Sequence, residues 1–145
     1  MNKETLITCL LLLGVAMCHA SVDVVPSIDL NKIAMIESSN NPNAIGDKGK
    51  AIGKYQTHAC VVKEYNQYNT RHYSHADMFN PVKAKEVTYW YLHCRIPYLL
   101  QKRGLPVTEE NILKGYNMGV GRIGYFLPDT TRNYLRKYRT MYAKN

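Results

Sequence analysis

The sequence lacks the features that mark several common classes of protein. It has no internal repeat and no low-complexity tract, and a chain of 145 residues is expected to contain one domain. No glycine-rich phosphate loop follows a predicted strand, which argues against a nucleotide-binding enzyme. Four histidines follow residue 20, and none has a second ligand at a metal-binding spacing; they are His58, His72, His75 and His93. We therefore expect neither a metal site nor another cofactor.

A long hydrophobic run is also missing, since the apolar stretch from Leu6 to Met17 is shorter than a membrane span. A stable spanning helix needs about 20 residues. The stretch is followed by Cys18-His19-Ala20, which ends on a small residue as a cleavage site does. This pattern is typical of a secretory signal peptide, with an uncleaved anchor or a buried helix as alternatives. We predict a signal peptide over residues 1–20 and a periplasmic or secreted domain over residues 21–145.

Cysteine is scarce once the predicted signal peptide is removed. Cys9 and Cys18 leave with it, so only Cys60 and Cys94 remain. Two cysteines in an oxidising compartment predict one disulfide between them. Two buried free thiols are the alternative that the sequence leaves open.

Positive charge is in excess, with a formal net charge of +8 and a pI near 9.3. A basic exported protein is attracted to polyanions such as peptidoglycan, teichoic acids, lipid headgroups and nucleic acid. Charge alone does not choose among them. Because the predicted signal peptide directs the chain out of the cell, we expect peripheral contact with anionic envelope surfaces and no nucleic-acid partner.

Apolar residues recur at helical spacing over most of the chain, which predicts a mainly α fold. The segment from Asn40 to Lys54 is instead rich in glycine and asparagine and predicts a loop with a short β-hairpin. We expect Tyr65, Tyr68, Tyr91 and Tyr98 to face the core. The predicted helices cover residues 28–38 with Ser27 as the cap, 58–68, 81–104 with an interruption at Pro97, 108–117 with Thr108 as the cap, and 131–142.

Glu37 is the residue whose position most suggests chemistry. It ends the first predicted helix directly before the glycine-rich loop, where a carboxyl would be packed on one side and face a cleft on the other. Partial burial raises the pKa of such a group, which can then act as a general acid near neutral pH. A surface glutamate is the alternative, although the negative end of the helix dipole disfavours it there.

Four segments together resemble the soluble (SLT) type of lytic transglycosylases, within the lysozyme-like superfamily. Residues 37–44 (Glu-Ser-Ser-Asn-Asn-Pro-Asn-Ala) resemble its Glu-Ser…Asn-Pro-x-Ala signature, and residues 49–56 (Gly-Lys-Ala-Ile-Gly-Lys-Tyr-Gln) its Gly-Ala-x-Gly-Leu-Met-Gln motif. Residues 115–119 (Gly-Tyr-Asn-Met-Gly) are similar to Ala-Tyr-Asn-x-Gly, and residues 131–135 (Thr-Arg-Asn-Tyr-Leu) to the start of the family's last helix. The resemblance implies an α+β lysozyme-like fold and cleavage of peptidoglycan glycan strands.

The resemblance also implies a role for each matching residue. Glu37 would be the single catalytic acid and base, and Ser38 would support its position. Gln56 would contact the sugar or Glu37, and Tyr134 would project toward the acid. Tyr116 and Asn117 would form the opposite wall. The motifs depart from the family at Lys54, Tyr55 and Gly115, which concerns the sugar contacts more than the acid.

Two further readings stay open at the level of sequence. In a lysozyme-type hydrolase a second carboxylate would assist, and Asp47 is the nearby candidate, although Gly46-Asp47-Lys48-Gly49 is also good turn chemistry. Alternatively, a catalytically weak module could keep the cleft to bind the cell wall. A secretion machine, a phage system or an inhibitor protein are the partners that such an enzyme could have.

Overall fold

In the computed structural model, residues 24–142 are described, and they form a helical body with one small sheet. The predicted signal peptide lies outside the described residues. The mainly α fold with a small β element after the first helix is confirmed. The helices are α1 (Leu30–Ser38), α2 (Ala59–Tyr68), α3 (Pro81–Trp90), α4 (Ile96–Lys102), α5 (Glu109–Met118) and α6 (Asp129–Thr140), and the strands are β1 (Ile45–Gly46), β2 (Ala51–Ile52) and β3 (Thr57–His58).

The first helix begins two residues later than predicted, and its cap is Asp29 rather than Ser27. The Asp29 carboxylate accepts hydrogen bonds from the backbone N–H groups of Asn31 and Lys32, at 2.8 and 3.4 Å. The N–H of Ile28 is used in a tertiary contact, since it donates to Nε2 of His93 at 3.1 Å. Distant partners therefore decide where α1 starts.

The three strands form one antiparallel sheet in the order β1-β2-β3. Ile45 pairs with Ile52 across the first turn, which confirms the predicted hairpin, and Ile52 also pairs with Thr57 on the other side. Gly53 follows β2 at a φ of +75°, and a Cβ placed there would lie 2.0 Å from the carbonyl oxygen of Met78. Only glycine fits that position, because both the backbone conformation and the space exclude a side chain.

The predicted interruption at Pro97 is confirmed as a π-helical turn over Tyr91–Arg95, after which α4 begins at Ile96. Proline has no N–H to donate to the preceding turn, so a widened turn just before it accommodates the break. Gly104 ends α4 at a φ of +67°, and its N–H donates to the Gln101 carbonyl at 2.9 Å. Thr108 caps α5, as predicted.

The last helix runs from Asp129 to Thr140 and thus starts and ends two residues before the predicted bounds. Pro128 directly precedes it, and proline has a φ suited to a helix start. The buried face of this helix consists of Thr131, Tyr134, Leu135 and Tyr138. Within residues 24–142, no helix is long and apolar enough to cross a membrane.

Two of the four tyrosines predicted to face the core lie at the surface. Tyr65 is buried and Tyr91 is partly buried, but Tyr68 and Tyr98 are 60% and 51% exposed. The guanidinium of Arg95 lies over both exposed rings, at 4.7 and 5.5 Å from their centroids. A cation–π contact stabilises a tyrosine ring at the surface, so these two rings are stabilised without burial in the core.

The predicted disulfide is not formed in this structure. Cys60, in the first turn of α2, and Cys94, in the π-helical turn, are exposed free thiols. An ion pair joins the same two segments instead, since the Arg95 guanidinium donates from Nε to the Glu64 carboxylate at 2.8 Å. A charge-assisted contact of this kind holds the segments together without a covalent bond.

Candidate active site

Glu37 lies in the last turn of α1 and lines a cleft of about 390 Å³. The volume is within the range of small-ligand sites. The side chain is partly buried, and burial raises the pKa of its carboxyl from 4.5 to about 7. The group can thus carry a proton near neutral pH, which is what a general acid requires.

Tyr134 projects from α6 toward Glu37, as the motif resemblance implies. Its hydroxyl lowers the pKa of Glu37, against the larger effect of burial. The contact is not a well-formed hydrogen bond, because this buried hydroxyl has no partner with hydrogen-bond geometry among the described residues. Burial keeps the pKa of Tyr134 itself well above 10, so the phenol stays neutral and retains its proton for donation.

Ser38 fixes the end of α1 against the loop that leads to β3. Its hydroxyl lies 2.7 Å from the Lys54 carbonyl oxygen and donates to it. Ser38 is not among the residues that line the cleft, and its hydrogen bond anchors the end of the helix that carries Glu37. The helix then ends at Ser39, which has a left-handed φ of 53° and turns the chain toward the sheet.

Gln56 lines the same cleft from the turn between β2 and β3. It has a left-handed φ of 49°, and its side-chain amide donates to the Gly53 carbonyl at 3.0 Å. A Cβ at Gly46 would lie 2.2 Å from the Gln56 amide oxygen, so the glycine of β1 leaves the space that this side chain occupies. The arrangement places a rigid polar group beside Glu37.

From α5, Tyr116 and Asn117 line the same cleft as Glu37. The Tyr116 hydroxyl donates to the Tyr55 carbonyl at 2.7 Å, which joins α5 to the segment that carries Gln56. The amide oxygen of Asn117 accepts from the Thr131 hydroxyl at 2.7 Å, which joins α5 to α6. These bonds hold the wall rigid, a property that helps a site bind polar ligands.

Asp47 also lines the cleft that contains Glu37. It begins a 3-10 turn (Asp47–Gly49) at a φ of 44°, so it occupies a turn at the edge of the cleft. Its carboxylate lies 3.8 Å from Nε2 of His58, and its side chain is 56% exposed. The two carboxyl groups of the cleft therefore have different environments, because that of Asp47 is open to solvent and that of Glu37 is largely desolvated.

Two threonines that the sequence analysis did not single out border the cleft. Thr57 begins β3, Thr88 lies on α3, and both are buried. Neither hydroxyl has a hydrogen-bond partner of good geometry within residues 24–142. Thr88 follows Val87 in the apolar stripe of α3, and a polar residue in such a stripe is the signal that could have identified it.

Within the described part of the chain, no group of three or more His, Cys, Asp or Glu side chains is arranged to hold a metal ion. The polar groups that line the cleft with Glu37 are an amide, hydroxyls and phenols, which can donate and accept hydrogen bonds. Among protein families, the transglycosylase SLT domain matches residues 21–134 of this chain. Neither a comparison with the curated proteins nor one with the solved structures gave a match.

Proposed function

The chain belongs to the transglycosylase SLT domain family and is a peptidoglycan lytic transglycosylase, and on this premise we propose that Glu37 alone supplies the acid and the base of its reaction. The observation that carries the proposal is the partly buried Glu37 carboxyl in the cleft, with a pKa raised to about 7. Such a group is protonated often enough at neutral pH to act first as an acid and, once ionised, as a base.

In the first step, the Glu37 carboxyl donates its proton to the oxygen that links C1 of N-acetylmuramic acid to C4 of N-acetylglucosamine. The C1–O bond breaks, and the glucosamine leaves with a new hydroxyl. Positive charge develops at C1, where the substrate's own N-acetyl group can stabilise it. One carboxylate then suffices, unlike the pair that most glycosidases use.

In the second step, the ionised Glu37 removes the proton from the C6 hydroxyl of the same muramic acid. The C6 oxygen forms a bond to C1 and closes a 1,6-anhydro ring, so no water is consumed and Glu37 ends protonated. A hydroxyl donor stabilises the carboxylate between the steps, and the Tyr134 phenol is suited to that role. Gln56, Tyr116 and Asn117 would hold the sugars by hydrogen bonds and ring contacts.

A lysozyme-type hydrolase is the second candidate, and the position of Asp47 in the cleft favours it. In that reaction Asp47 would activate a water or attack C1, and the product would gain one water. The Asp47 side chain is 56% exposed and lies 3.8 Å from Nε2 of His58, so a water molecule in the cleft can reach it. The two candidates therefore differ in their product rather than in the bond that is cut.

Mass spectrometry of the fragments released from purified peptidoglycan tests the proposal. We expect muropeptides with anhydromuramic ends, each lighter by one water than the hydrolysis product, and no label when the digestion is run in ¹⁸O water. Glu37→Gln should release none, and Asp47→Asn should release the same anhydro products as the wild type. If the wild type gives labelled reducing ends and Asp47→Asn does not, the protein is a hydrolase. If the wild type binds the wall but releases no products, it is a binding module.

We further propose that the mature enzyme works outside the cytoplasmic membrane, where its substrate lies. The apolar stretch and the small residue at Ala20 support cleavage there. Intact mass measurement of protein recovered from the periplasm or the medium should give a chain that starts at Ser21. A chain that retains residues 1–20 would contradict cleavage. A secretion machine, a phage system or an inhibitor protein remain candidate partners.

A further inference from the structure

The outer face of α6 carries three arginines, which we call the arginine face: Arg132, Arg136 and Arg139, all exposed. At about 3.6 residues per turn, they fall within an arc of roughly 60° around the helix axis. Tyr134 lies on the opposite side of the same helix, where it meets Glu37. The helix thus separates a cationic surface from the catalytic acid.

The arginine face borders a groove of about 320 Å³ with an apolar floor that includes Leu127 and Leu135. Arg139 donates to the Glu110 carboxylate at 2.6 Å, and Arg132 to that of Asp129 at 3.3 Å. Arg136 makes only a long contact of 3.4 Å, with the amide oxygen of Asn133, among the hydrogen bonds of the described residues. Two carboxylates against three guanidinium groups leave net positive charge around the groove.

Two exposed aromatic rings adjoin this charge. Tyr125 and Phe126 lie in the loop before α6 and are each 77% exposed. The Arg132 guanidinium lies 5.6 Å from the centroid of the Phe126 ring, so the ring belongs to the same surface. Exposed aromatic residues next to arginines are typical of surfaces that enter the interface of a membrane.

We propose that the arginine face, together with Tyr125 and Phe126, docks the enzyme onto a bilayer that contains anionic phospholipid. Guanidinium groups bind lipid phosphates through paired hydrogen bonds, and the rings enter the headgroup region. Because Tyr134 and Glu37 lie on the other side of α6, docking leaves the catalytic acid uncovered. The bilayer surface would then hold the enzyme next to the peptidoglycan layer.

Co-sedimentation with phosphatidylglycerol–phosphatidylcholine vesicles tests the charge component without any substrate, so its outcome is independent of the proposed mechanism. Each lysine or arginine near an anionic lipid surface strengthens binding to that surface about fivefold. Since two of the three arginines also contact carboxylates, we expect a triple Arg132→Gln, Arg136→Gln, Arg139→Gln variant to bind about ten- to a hundredfold more weakly. The control, Lys63→Gln, Lys85→Gln, Lys102→Gln, has the same net charge but changes exposed lysines elsewhere, and should keep most of the binding.

The aromatic component is tested with Tyr125→Ser, Phe126→Ser, which leaves the charge unchanged. We expect this variant to lose vesicle binding at least fivefold while its affinity for soluble polyphosphate stays that of the wild type. Equal losses in the arginine and lysine variants would overturn the proposal, because net charge alone would explain them. An unchanged vesicle affinity of the aromatic variant would also overturn it and identify a site for soluble polyanions.

Discussion

Replacement of Glu37 by Gln should change how the stability of the protein depends on pH. Burial raises the pKa of this carboxyl from 4.5 to about 7, so the folded protein binds the proton more tightly than the unfolded chain. The stabilisation from this proton is fully present below pH 4.5 and is lost as the pH rises through 7. A difference of about 2.5 in pKa, at about 1.4 kcal/mol for each unit, sets an upper value of about 3.5 kcal/mol.

Glu37→Gln keeps the shape of the side chain but never ionises. At high pH, therefore, only the wild type has a buried charge, which destabilises its folded state. Relative to the wild type, we expect the variant to gain about 2 to 3 kcal/mol of unfolding free energy between pH 5 and pH 8.5. Urea unfolding at both pH values measures it, with Glu109→Gln on the surface of α5 as the control for loss of a carboxylate. A difference between variant and wild type that does not change with pH would refute the argument that burial protonates Glu37.

Two further predictions concern the neighbours of the acid and the turn beside it. Tyr134→Phe removes the hydroxyl that lowers the pKa of Glu37. The alkaline limb of the pH–rate profile should therefore move to higher pH, and kcat should fall about tenfold. An unchanged profile would exclude Tyr134 from the site. Gly53→Ala should cost about 3 kcal/mol or more in thermal unfolding, because its Cβ would meet the Met78 carbonyl. Gly104→Ala has a similar φ but open space around the Cβ, so it should cost only about 1 kcal/mol, and equal costs would show that the contact is unimportant.

Much of the fold could be predicted because the signals act over a few residues. Asn80 before Pro81 predicts a helix start, and the Asn80 side chain accepts from the N–H groups of the first turn in the structure. Gly104 and Thr108 likewise end one helix and begin the next at their predicted places. At Asn80, Gly104 and Thr108 the signal lies in the local backbone, so it can be recognised without knowledge of the tertiary structure.

Other features could not be predicted, because distant residues decide them. The start of α1 depends on His93 and on the Tyr138 hydroxyl, which accepts from the Asp29 N–H at 2.8 Å. Tyr98 is 51% exposed, and the guanidinium of Arg95 lies 5.5 Å from the centroid of its ring. A helical stripe predicts which side of a helix is apolar, but it does not show whether a partner covers every position of that side.

By itself, the sequence determined the order of the elements, the four motifs whose residues lie around Glu37, and the glycine-rich turn that follows this residue. Only the tertiary structure decided the pKa of the Glu37 carboxyl. The pKa of Glu37 depends on how completely α5, α6 and the sheet exclude water from one carboxyl, and on the approach of Tyr134 from the end of the chain. Desolvation depends on the volume that all surrounding segments fill together, and no local pattern of residues contains that information.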